Sequence, residues 1–155
     1  MHRQMPALSF MLLLLAIVAL FSLSGNVLYQ AGIFYDSPGG NPLHKIHPSF
    51  YLLLLSLASW TLYQGGVAQL YYLFTVRSHF LLFAAALCLL LHDVVLGRPL
   101  SSAIVSYVSA ALFVLLLKAL SPARLQQLKL LLLVLLSANA LVGIYEYAGG
   151  GLIAP

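Results

Sequence analysis

Five long apolar stretches occupy most of a 155-residue chain and leave almost nothing from which to build a water-soluble surface. Hydrophobic residues make up 63% of the sequence and charged residues only 6%. The mean hydropathy is +1.03. A soluble domain of this size needs a polar exterior, and this composition cannot supply one. Lipid is therefore the solvent. The implied fold class is all-α: a polytopic membrane helix bundle forming one transmembrane domain over residues 1–155. Any chemistry is confined to a membrane cavity or to the interface.

A helix that crosses the roughly 30 Å hydrocarbon core needs about 20 predominantly apolar residues. Residues 6–23, 49–74, 79–96, 99–120 and 125–148 meet that demand. The second is long for one pass and carries Gly65-Gly66, where a helix is weakened. Ending it there leaves too short a helix to span, so it is read as one tilted or bent crossing. The first segment has the flanks of a signal peptide, with Arg3 before it and Ser22-Leu23-Ser24 after it. Its apolar core is longer than a signal core, and four further spans lie beyond it. An uncleaved anchor is the favoured reading.

Basic residues orient the bundle. With the N-terminus inside, Arg3, Arg77, Lys118, Arg124 and Lys129 fall on the cytoplasmic side and only Lys45 and Arg98 outside. The C-terminus then lies outside. Asp36, Asp93 and Glu146 come out on the outer side with His44, His47 and His92, while His2 and His79 stay inside. An active face would look outward. Topology accounts for the net charge of +4, which gives no argument for nucleic acid. Phe50 and Tyr51, then Tyr71, Tyr72 and Phe74, then Tyr145 and Tyr147 mark span ends, where aromatic rings favour the headgroup level.

The one substantial connection, the outer loop 25–48, contains the turn-rich run Asp36-Ser37-Pro38-Gly39-Gly40-Asn41-Pro42. The other connections are short, as in an up-and-down bundle. Small and polar residues recur at helical spacing: Ser102, Ser106 and Ser109; Asn139, Gly143 and Glu146; Ala85, Cys88 and His92. Helix packing is the plain reading of such stripes. The serine face is expected to contact another helix, with the Asn139/Gly143 face as its neighbour.

Chemistry-bearing groups are few. His44 and His47 have a spacing compatible with metal ligation, but no further ligand completes a set, and a wet interfacial loop is expected. Cys88 is alone and expected to be buried in the third span, which leaves no dithiol chemistry. His79 and His92 sit at span ends rather than paired at one depth, as haem ligation would require. A haem or quinone redox subunit is therefore a distant reading. No nucleophile elbow, phosphate-binding glycine loop or metalloprotease motif occurs, and no cofactor, metal or catalytic set is expected. His92-Asp93 with Arg98 five residues on is the polar group of most interest. Ionisable residues at span ends are usually interfacial anchors that snorkel to water, yet an outward arginine beside a headgroup can also hold phosphate oxygens with its planar fork.

The segment Leu136-Ser-Ala-Asn-Ala-Leu-Val-Gly-Ile-Tyr-Glu-Tyr147, a glycine run and Leu152-Ile-Ala-Pro155 close the chain. Together with the Gly97-Arg98-Pro99-Leu100-Ser101 junction and the His47-Pro48 entry to the second span, this pattern resembles the O-antigen ligase and polymerase superfamily of bacterial polysaccharide enzymes. The resemblance is strongest over residues 92–155. It implies a multi-pass protein of the bacterial inner membrane that handles polyprenyl-diphosphate-linked glycan. It also implies that this chain corresponds to the N-terminal part of such an enzyme. The family's catalytic arginines and histidine lie mainly in a downstream outer loop, so none is carried over and the chain is expected to be inactive alone. Within that reading Arg98 is the candidate contact for the lipid diphosphate, with His92, Asp93 and Glu146 supporting it. A C-terminal partner or other membrane subunits would complete the enzyme. The alternative is a small non-enzymatic scaffold or accessory subunit of a larger membrane complex.

Overall fold

The computed structural model describes residues 5–23, 25–32, 45–63, 65 and 67–149, and every element among them is helical. In chain order these are α1 (Ala7–Ser22), α2 (Gly25–Gln30), α3 (Pro48–Tyr63), α4 (Val67–Thr75), α5 (Arg77–Val95), α6 (Leu100–Ala103), a π turn (Ile104–Val108), α7 (Ser109–Lys118) and α8 (Pro122–Gly149). The π turn joins α6 and α7 into one rod, Leu100–Lys118. Three helices are long and apolar enough to cross a membrane: Arg77–Val95, Leu100–Lys118 and Pro122–Gly149. With 16 residues each, α1 and α3 reach about 24 Å at 1.5 Å per residue.

Segment 49–74, expected as one pass, is two helices. The chain leaves α3 after Tyr63 and turns at Gly65, whose φ of 99° lies in the left-handed region that favours glycine. A residue with a side chain would resist that turn. Gly65-Gly66 marks the break in the sequence, and α3 is the shorter helix that results. After the turn α4 folds against α5, with Phe74 and Phe83 at 5.8 Å between ring centroids. The expected outer loop also holds more structure than a loop. It opens with α2, in which Leu28 is buried, and it ends with Ile46 and His47 buried before α3 begins. The run Asp36 to Pro42 and His44 lie outside the described residues.

Helix starts obey local chemistry. α3 and α8 each have proline as first residue, where the missing N–H has no intrahelical partner to lose. Ahead of α8, the Ser121 Oγ accepts from the Arg124 N–H at 3.4 Å, as an N-cap should. Ahead of α3, the His47 Nδ1 accepts from the Ser49 N–H at 3.1 Å and lies 2.7 Å from the Ser49 hydroxyl. Its Nε2 is 3.2 Å from the Leu23 carbonyl, which can only accept. The imidazole therefore carries its proton on Nε2 and ties the end of α1 to the start of α3. His47 is buried structure, not the wet loop residue its sequence context implied.

The core lies where α1, α3 and α7 meet. Leu13, Leu115 and Leu116 are fully buried, with Phe10, Ile17, Leu53 and Leu112 around them. Ser9, Ala16 and Ser56 are also buried, and such small side chains let membrane helices approach closely. The Ser56 hydroxyl donates to the Ser9 carbonyl at 2.7 Å, so a hydrogen bond joins α1 to α3. The first apolar segment is thus a full member of the core.

Contacts at the helix ends show the run of the chain. The Met5 N–H donates to the Ala119 carbonyl at 3.2 Å, and Arg124 donates to the Met5 carbonyl with its guanidinium 5.2 Å from the Phe10 ring centre. Lys118 reaches the Ser78 hydroxyl at 3.3 Å. The starts of α1, α5 and α8 and the end of α7 therefore share one end of the bundle, with Arg77, Lys118 and Arg124. Lys45 and Arg98 belong to the opposite end, at the start of α3 and the α5–α6 junction.

Two packing expectations are corrected. The rod Leu100–Lys118 packs against α5 and α3, whereas α8 packs against α1 and leaves Asn139 and Gly143 exposed. The short α7–α8 turn sets their order but not their contact. Cys88 is exposed on α5 rather than buried, on the same outward face as Ala85 and His92.

Candidate functional site

The α5–α6 junction brings polar side chains together through one backbone motif. α5 ends with Gly97 at φ 72°, a left-handed conformation. The Gly97 N–H donates to the Val94 carbonyl at 3.0 Å and the Arg98 N–H to the Asp93 carbonyl at 3.0 Å. This pair of bonds is a Schellman motif, which caps the last carbonyls of a helix and normally closes with an apolar contact between the residues at its two ends. Here those residues are Arg98 and Asp93. An ion pair replaces the apolar contact: Arg98 Nη1 lies 3.1 Å from Asp93 Oδ1. Pro99 comes next and cannot extend the helix, which fixes the stop.

The carboxylate is held from a second side. The Tyr107 hydroxyl donates to Asp93 Oδ2 at 2.9 Å. Tyr107 sits inside the π turn, whose wider winding places an extra residue in the rod and rotates α7 relative to α6. That rotation separates the serines. Ser102 and Ser109 are half-buried while Ser106 is exposed, so the spacing that suggested one face does not survive the turn. His92 Nδ1 is 3.5 Å from Asp93 Oδ1, close enough to pair when the imidazole is protonated.

Burial divides the group into roles. The Asp93 side chain is only 8% exposed, and a bare carboxylate there would be costly. Both of its oxygens are engaged. The Arg98 side chain is 60% exposed, and its bond to Asp93 uses Nη1 alone. The pair therefore presents its positive end outward. This arrangement can bind an anion. It offers no free base and no activated nucleophile, since Asp93 is occupied and Tyr107 is its donor.

Of the residues singled out from sequence, His92, Asp93 and Arg98 form one cluster. Glu146 falls within α8, but its side chain lies outside the described residues. Tyr107 was not anticipated. Its spacing from Asp93 crosses both a turn and a π turn, and helical periodicity cannot be carried through either. Among the described residues no group of three His, Cys, Asp or Glu side chains could hold a metal ion.

No protein-family model, curated protein or solved structure matches this chain, so the cluster is read from its own chemistry.

Proposed function

We propose that the chain makes five membrane passes with the N-terminus cytoplasmic and the C-terminus outside, in a bacterial inner membrane. α3 and α4 together form the second pass. At the outer end, Arg98 receives the diphosphate of a polyprenyl-linked glycan carrier, and the chain by itself transfers no glycan. One observation carries the reading: a guanidinium anchored by a buried carboxylate through a helix cap, with the rest of its fork turned to the surface. Anchoring lowers the conformational cost of binding, and a planar fork suits phosphate oxygens.

The test is binding of an undecaprenyl diphosphate to the purified chain in nanodiscs. A bond to a charged group contributes about 1.5–3 kcal/mol, so Arg98→Ala should weaken binding roughly 10- to 100-fold. Arg98→Lys should recover only part of it, because a point charge replaces a fork. Equal affinity of wild type and Arg98→Ala would remove Arg98 from the site. Glycan transfer by the purified chain alone would overturn its inactivity.

A second reading, an accessory subunit that scaffolds a larger membrane complex, is favoured by α8. Leu130, Leu133, Leu136, Leu141, Ile144 and Tyr145 are all exposed along it. Co-purification with a stoichiometric membrane partner, together with no affinity for the lipid diphosphate, would select this reading over the first.

A further inference from the structure

α8 has two halves with one face running through both. Leu125, Leu128, Leu132 and Leu135 belong to the core or pack against it. These positions advance by three, four and three residues, the spacing of a helix–helix seam. The same spacing continues through Asn139 and Val142, four and seven residues beyond Leu135. Both are exposed. The seam that joins α8 to its own bundle therefore runs on past the bundle without a neighbour.

Asn139 makes that overhang unlike the rest of the lipid-facing surface. It is the polar member of the seam, near the middle of the apolar segment 125–148, and no described residue hydrogen-bonds to its carboxamide. A carboxamide left in hydrocarbon is costly, and an interhelical hydrogen bond is the usual remedy. The occupant must offer a donor and an acceptor at the same depth. Two copies inserted in the same orientation are related by a two-fold axis along the membrane normal, which puts Asn139 opposite Asn139 automatically. The amide is its own complement, with two donors and one acceptor group. Gly143, on the same side one turn on, adds no bulk.

We propose that a second copy of this chain covers the outer half of α8, forming a parallel pair in which the two Asn139 carboxamides hydrogen-bond across the two-fold axis. A single asparagine in such a seam also fixes register and the number of strands.

The experiment measures dimerisation of fluorescently labelled full-length chain in lipid vesicles by energy transfer across a dilution series in lipid. Asn139→Leu should raise the dissociation constant about tenfold or more, while Asn139→Gln should stay near wild type. In a Cys88→Ser background treated with copper phenanthroline as the oxidant, Val142→Cys should form a disulfide-linked dimer and Leu141→Cys, on the far side of the helix, should not. A monomeric wild type, an unchanged constant for Asn139→Leu, or cross-linking at Leu141 equal to that at Val142 would each overturn the pairing. Should Asn139→Leu fail to fold, the two cysteine variants decide the matter with Asn139 in place.

Discussion

Gly97 sets the backbone geometry of the candidate site. Its left-handed φ turns the chain back so that Arg98 arrives over Asp93, five residues earlier on the same helix. A Cβ placed on Gly97 would meet no atom within 4 Å, so the cost of substitution is a pure backbone term. For an L-residue that term is roughly 1–2 kcal/mol, and it is smaller for asparagine, which tolerates this region. Gly97→Ala should therefore lower unfolding stability in mild detergent by about that amount, and Gly97→Asn by clearly less. Equal losses for the two variants would show that φ is not what Gly97 provides. The helix stop is legible in the sequence, since a glycine followed within two residues by proline marks a helix C-terminus, and Asp93 and Arg98 stand at the two positions that such a cap brings together. The burial of His47 is not. Its two ring nitrogens reach Ser49 and Leu23, and contact with the latter depends on how α1 and α3 are docked.

At the scale of elements, the π turn is the feature that periodicity cannot reveal. Helix limits are legible in the apolar runs, and α1, α5, the rod Leu100–Lys118 and α8 fall close to the expected segments. Faces within the rod are not legible, because one extra residue at Ile104–Val108 changes the register on which every i+4 and i+7 inference rests. The same turn delivers the Tyr107 hydroxyl to Asp93. Deleting Val105 should restore regular winding and carry Tyr107 away from the carboxylate. A double-mutant cycle isolates that consequence. Tyr107→Phe should cost about 1.5–3 kcal/mol in the intact chain and close to nothing once Val105 is deleted. Additive losses would mean that the turn does not aim Tyr107.

The whole molecule is asymmetric in charge, and its contacts make that asymmetry a property of the fold. Lys118 reaches Ser78 beside Arg77, while Arg124 and the Ala119 carbonyl both engage Met5. Two helix junctions and the start of α1 thus gather basic residues at one end of the bundle. Asp93, the one acidic residue whose side chain is described, lies at the other, paired with Arg98. On the proposed topology the basic end faces the cytoplasm, where the loops of membrane proteins carry their excess of lysine and arginine. α8 starts at that end, and its 28 residues extend about 42 Å, more than a hydrocarbon core of roughly 30 Å. Its far end must then emerge on the outer side or tilt within the bilayer. Reporter fusions separate these geometries. Alkaline phosphatase joined after Pro155 should be active, because the enzyme folds only outside the cytoplasm, whereas a fusion near Arg124 should be inactive. The reverse pattern would invert the bundle and place Arg98 on the cytoplasmic surface, where an outward-facing lipid-linked glycan could not reach it. Inactivity at both sites would return the C-terminus to the cytoplasm and leave α8 as a helix that does not complete a crossing.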